Sequence, residues 1–157
     1  MNATELFFRT IQIGNIENIK AQLENSPEVV NTNDARGFTP LIFATYFDKA
    51  EIAISLIEHG AEINAKDASG NTALIGVSFK GNLDLVKLLL ENGADIDAIN
   101  NNGISSLIYA VQYGHQGIVK TLLANKANKE LKDNQGKTAL DYALERNLKD
   151  IVDLLKS

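Results

Sequence analysis

Residues 67–99 read DASGNTALIGVSFKGNLDLVKLLLENGADIDAI. The opening Asp-Ala-Ser-Gly is a turn signal, because Gly70 adopts positive φ without a Cβ clash. Thr72 stands where a hydroxyl caps the free N–H groups of a helix start. The spacing predicts a short helix to about Lys80, a break at Gly81-Asn82, and a second helix from about Leu83 to Asn92. Leu85, Val86, Leu89 and Leu90 fall at helical spacing in that second helix. Gly93 follows where a left-handed residue closes it. A helix pair this short cannot bury its apolar face alone, so it needs a stacked neighbour.

Neighbours are present on both sides. Gly37, Gly70, Gly103 and Gly136 lie 33 residues apart, each followed two places later by Thr or Ser, then by Leu41, Leu74, Leu107 and Leu140. A fixed period in this range means a stack of small units. Ala44, Val77, Ala110 and Ala143 are small, which lets the first helices of adjacent units approach closely. Ile52, Leu85, Ile118 and Ile151 form one ladder on the second helices, and Leu56, Leu89, Leu122 and Leu155 form another. Each buried Leu contributes about 1.5–3 kcal/mol, enough for these ladders to hold a stack together.

The ends differ from the middle. Residues 3–33 keep a helix pair around Gly14-Asn15 but lack the Gly-x-Thr opening and carry one extra residue near Ser26-Pro27. The last unit stops at Ser157 without the Gly-Ala-Asp tail. The expected organisation is a single domain over residues 1–157. It comprises an N-terminal capping repeat (1–33), full repeats at 34–66, 67–99 and 100–132, and a C-terminal capping repeat (133–157), with about ten helices.

Gly-Phe-Thr-Pro-Leu (37–41), Gly-Asn-Thr-Ala-Leu (70–74), Gly-His-x-x-Ile-Val (114–119) and Glu-Asn-Gly-Ala-Asp-Ile-Asp (91–97) resemble the ankyrin repeat. The resemblance implies an all-α, L-shaped solenoid of helix-turn-helix units joined by β-hairpin-like fingers. The role it implies is protein–protein recognition through the concave side. Three departures from the family pattern stand out. Ile42, Ile75 and Ile108 replace the usual His after the Thr-Pro-Leu motif, Lys126 replaces the Gly found at 60 and 93, and Gly-Ile-Ser-Ser-Leu (103–107) is the weakest of the four openings.

The chain is 45% hydrophobic, ample for a core. It has no Cys, which excludes disulfides, thiolate catalysis and Cys-based metal sites, and fits a reducing, cytoplasmic setting. Net charge is −5 and the bases are scattered, against the concentrated basic face of nucleic-acid binders. No apolar run approaches the roughly 18–20 residues that cross a bilayer, and the N-terminus shows no signal-peptide pattern. The partner expected is an unidentified protein, without nucleic acid or membrane, bound by a monomer.

Catalytic chemistry is not indicated. His115 belongs to the Gly-His-x-x-Ile-Val motif and His59 to a helix C-terminus, where partial positive charge is favoured. Both read as structural, because a triad or zinc site needs convergent partners. Asp95 and Asp97 lack calcium-loop spacing, and Asn100-Asn101-Asn102 reads as a turn tip. No cofactor, metal or catalytic residue is expected.

Carrying over the family's concave positions gives Ala35, Arg36, Phe38, Tyr46 and Phe47 in the first full repeat. The second gives Ala68, Ser69, Asn71, Phe79 and Lys80; the third gives Asn101, Asn102, Ile104, Gln112 and Tyr113. The cap adds Asn134, Gln135, Lys137, Glu145 and Arg146. Phe38, Tyr46, Phe47, Phe79 and Tyr113 are half of the chain's aromatics, and exposed aromatics are common interface anchors. The competing reading is that some of them pack against a neighbouring finger or helix. The expected function is a non-enzymatic adaptor or regulator that binds a protein, with an inhibitor or immunity-type protein blocking an enzyme or toxin as the alternative.

Overall fold

The computed structural model describes residues 1–157. Ten α-helices and one short 3-10 helix account for the regular structure, with no strand beyond an isolated bridge between Ile99 and Ser105. The chain divides into two compact units, residues 1–73 and 74–157.

The first unit opens with helix α1 (Ala3–Ile13). Asn2 accepts from the Glu5 N–H, Glu5 reaches back to the Asn2 N–H, and the pair closes a capping box. Gly14 at φ 84° ends α1, and Asn15 caps helix α2 (Ile16–Asn25). Phe7 and Ile11 on α1 and Ile19 and Leu23 on α2 are buried. The extra residue of this repeat falls beyond α1, where Gly14 and its counterpart Asp48 lie 34 residues apart while later counterparts keep 33. A 3-10 turn, Pro27–Asn31, buries Val29 and Val30 in this stretch. Helices α3 (Pro40–Tyr46) and α4 (Ala50–Glu58) complete the unit, with Pro40 at the first helical position of α3.

The second unit holds most of α5 (Ala73–Lys80), followed by α6 (Leu83–Glu91), α7 (Ser106–Gln112), α8 (Gln116–Ala124), α9 (Ala139–Glu145) and α10 (Lys149–Lys156). Leu85, Leu89, Ile118, Leu122, Ile151 and Leu155 are buried, as the ladders require. Val77, Ala110 and Ala143 lose all solvent contact. Leu140 is only half-buried in the last repeat. Lys129 Nζ donates to the carbonyls of Leu155 and Ser157, satisfying acceptors left open at the end of α10.

The four openings share one device. The side chains of Asp34, Asp67, Asn100 and Asp133 each accept from two backbone N–H groups, two and four residues on, at 2.9–3.0 Å. Each of these residues also donates its own N–H to the carbonyl four residues on, closing the finger. Thr39, Ser105 and Thr138 then cap α3, α7 and α9 by accepting from the N–H three residues later. Asn100 is therefore buried beneath its turn, and only Asn101 and Asn102 are exposed.

Candidate functional site

The expected binding positions sit on the fingers and at the C-terminal ends of α3, α5, α7 and α9. In the first unit, Arg36 is exposed, and its guanidinium lies 4.8 Å above the Phe38 ring and 5.9 Å from the Phe43 ring. Two of its nitrogens donate to Asp34 Oδ2, so the turn residue also orients the cation. Phe43 packs edge-on against Phe8 at 5.6 Å and meets Phe47 at 4.8 Å, while Tyr46 packs against Phe47 at 5.3 Å. Phe8 and Phe43 are buried, Tyr46 is half-buried and Phe47 is 46% exposed. The ring group thus has a buried floor and an exposed rim.

The second unit repeats this arrangement with other residues. Phe79 lies 5.4 Å from Tyr109 and 4.7 Å from Tyr113, both edge-on. Tyr113 is 50% exposed and stacks 6.5 Å from His115. His115 Nε2–H donates to the Phe79 carbonyl at 3.0 Å, tying the end of α5 to the start of α8. His59 Nδ1–H likewise donates to the Ser55 carbonyl at 2.7 Å. Each histidine ring is committed to a backbone acceptor.

The remaining expected positions are scattered. Ser69 and Asn102 are exposed, while Asn71, Ile104 and Gln112 are half-buried and Lys80 is exposed at the end of α5. Ser69, Asn102 and Gln112 stand outside both ring groups. In the cap, Lys137 pairs with Glu145 at 2.9 Å and lies over the Tyr142 ring. Asp95 and Asp97 serve loop structure: Asp95 accepts from the Asp97 N–H, and Asp97 accepts from the Asn128 N–H at 2.8 Å. No group of three His, Asp or Glu side chains is placed to hold a metal ion.

Phe8, Phe43 and Tyr109 are the ring residues that sequence reasoning passed over. Phe43 and Tyr109 each precede an expected ring, Phe47 or Tyr113, by one helical turn, a spacing at which side chains meet. The Asp133 carboxyl was also missed. Burial alone would raise its pKa, but hydrogen bonds from the Tyr142 hydroxyl and the Lys137 and Gln135 N–H groups, with the Lys137 charge, hold it below the ordinary aspartate value. The same carboxylate, together with burial, pushes the Tyr142 hydroxyl up to about 12.

Helix pairs joined by side-chain-locked fingers, repeated at one period, define a helical repeat protein. Residues 7–100 and 75–157 both match the family described as Ankyrin repeats (3 copies). The chain belongs to the ankyrin repeat family, whose units bind protein partners. It is also similar to the human DNA-binding protein RFXANK, at 41% identity over 49 residues, a stretch covering 31% of this chain and 19% of that protein. No helix is long and apolar enough to cross a membrane.

Proposed function

We propose that the chain is a non-enzymatic adaptor or regulator, a single recognition domain that docks a protein partner on its finger tips and the C-terminal ends of its first helices. The observation that carries this reading is the exposure of Phe47 and Tyr113, each held by rings beneath it. An aromatic side chain braced in this way presents large apolar area with little rotamer freedom left to lose on binding. A protein partner is favoured over nucleic acid, because the net charge of −5 and scattered bases give a phosphate backbone no concentrated cationic track. The DNA-binding name of the human relative attaches to a protein of which the matched segment is under a fifth.

The test is affinity capture with the intact chain, followed by titration of the identified partner against Phe47→Ala and Tyr113→Ala. Each substitution is expected to weaken binding by about 2 kcal/mol or more with the melting temperature retained. Unchanged affinity in both variants would place the docking surface elsewhere. Assaying the captured protein's own activity with and without the chain separates an adaptor from an inhibitor.

A further inference from the structure

We propose that a cleft in the N-terminal repeat receives an acidic side chain of a protein partner, with Arg9 as the receiving cation. This rests on the protein-recognition reading and adds the chemistry of one contacting group. The cleft measures about 630 Å³, and its lining includes Glu5, Phe8, Arg9, Asp34, Arg36 and Phe43. Its size suits a small group of side chains entering from a partner.

Formal charge in the cleft balances, but the commitments do not. Asp34 accepts from the N–H groups of Arg36 and Phe38 and from the Arg36 guanidinium. Glu5 turns back to the Asn2 N–H. Arg9 is exposed and makes no hydrogen bond, ion pair or ring contact. The amides of Gln12 and Asn33, on the same lining, are also unengaged and able to donate. The N-terminal end of α1 adds its positive pole.

The surroundings make this a local break in the negative charge. Residues 1–73 hold ten Asp and Glu against five Lys and Arg, so the unit repels acidic groups over most of its surface. An acidic side chain finds its complement where Arg9 is uncommitted and the acids are occupied. Beside that point lie Phe8 and Phe43, packed edge to face, against which an aliphatic neighbour of the acidic residue would rest. The occupant is therefore a protein segment in which acidic and aliphatic residues adjoin.

The probe is a capped peptide of alternating Glu and Leu, titrated into the intact ¹⁵N-labelled chain, with a Lys-and-Leu peptide as its counterpart. The acidic peptide is expected to shift the amides of Phe8, Arg9, Asn33 and Arg36, with the shifts shrinking at high salt. Arg9→Glu should weaken binding by about tenfold or more. Lys20→Glu makes the same charge change on the exposed part of α2 and should weaken it much less. If Arg9→Glu fails to fold, Arg9→Gln takes its place. Equal losses in the two variants, equal shifts with the Lys peptide, or no shifts at the cleft would each overturn the inference. Such a failure, with the Phe47 and Tyr113 result intact, removes the cleft and leaves the recognition reading standing.

Discussion

The Tyr142 hydroxyl donates to the Asp133 carboxylate, nine residues earlier, from inside the last repeat. The aspartate in turn holds the finger through the N–H groups of Gln135 and Lys137. Because the Asp133 pKa is lowered in the folded state, its stabilisation is fully present above the ordinary value of 3.8 and is lost as pH falls through the folded value. Tyr142 is raised from 10.0 to about 12, so its share is present below pH 10 and is lost as pH rises through about 12. Tyr142→Phe removes the tyrosine's effect and the hydroxyl's part of the aspartate's, leaving the Lys137 and Gln135 N–H groups in place, and is expected to cost about 1–3 kcal/mol near neutral pH. Urea titration measures the cost, and an NMR titration should show the Asp133 carboxyl moving upward. An unmoved carboxyl would mean that another group holds it.

Gly103→Ala should destabilise the chain more than Gly136→Ala. Both glycines have positive φ, 73° and 77°, so the conformational penalty of a Cβ is shared. At Gly136 a Cβ meets nothing within 4 Å, whereas at Gly103 it would stand 2.6 Å from Asn134 Oδ1 and 3.0 Å from the Asn134 backbone nitrogen. Asn134 is pinned there by donating to the carbonyls of Asn101 and Asn102. Overpacking of this kind costs about 1–3 kcal/mol, and the difference between the two variants in urea should fall in that range. Equal losses would show that the finger yields to the added methyl.

Lys126 occupies the left-handed region at φ 65°, where Gly60 and Gly93 stand at 89° and 87°. A side chain there costs roughly 1–2 kcal/mol, offset in part by the greater freedom of glycine in the unfolded chain. Lys126→Gly should therefore stabilise by something under about 1 kcal/mol, read as a higher urea midpoint at unchanged slope. A lower midpoint would contradict this account of the α8 terminus.

Ser106 is fully buried at the first position of α7, and its hydroxyl has no hydrogen-bond partner. The matched positions carry Pro40, Ala73 and Ala139, none with a hydroxyl. Ser106→Ala removes an unsatisfied polar group without leaving a sizeable void and should raise stability by about 1 kcal/mol. Thermal unfolding checks it. A loss of similar size would mean that the hydroxyl is satisfied in solution.

The helices were legible because glycine and leucine recur at one interval, and a helix pair leaves few ways to satisfy that pattern. Lys126 was also legible, since the glycines at 60 and 93 announce the backbone it must adopt. The site was legible only at its rim. Phe47 and Tyr113 could be placed by counting, as could Phe43 and Tyr109 one turn before them, but the contacts with Phe8 and Phe79 depend on how side chains of successive helices meet. Periodicity aligns equivalent positions without stating which of them touch. The cleft lay further out of reach, because Arg9 belongs to the one repeat that departs from the interval. The bond between Tyr142 and Asp133 had a signal that was not used: Tyr109 and Asn100 stand at the same separation one repeat earlier and are also joined.

Each finger is fastened by the side chain of its own first residue, Asp34, Asp67, Asn100 or Asp133, acting on backbone N–H groups of the turn. Residues 69, 102 and 135 contribute only their main chain to this fastening and carry Ser, Asn and Gln in turn, whereas Arg36 also sets its guanidinium on the Asp34 carboxylate. Heritable change at positions 69, 102 and 135 is thereby uncoupled from loop formation. A lineage can trial new surface chemistry there by single substitutions, with little risk of losing the folded chain in the attempt.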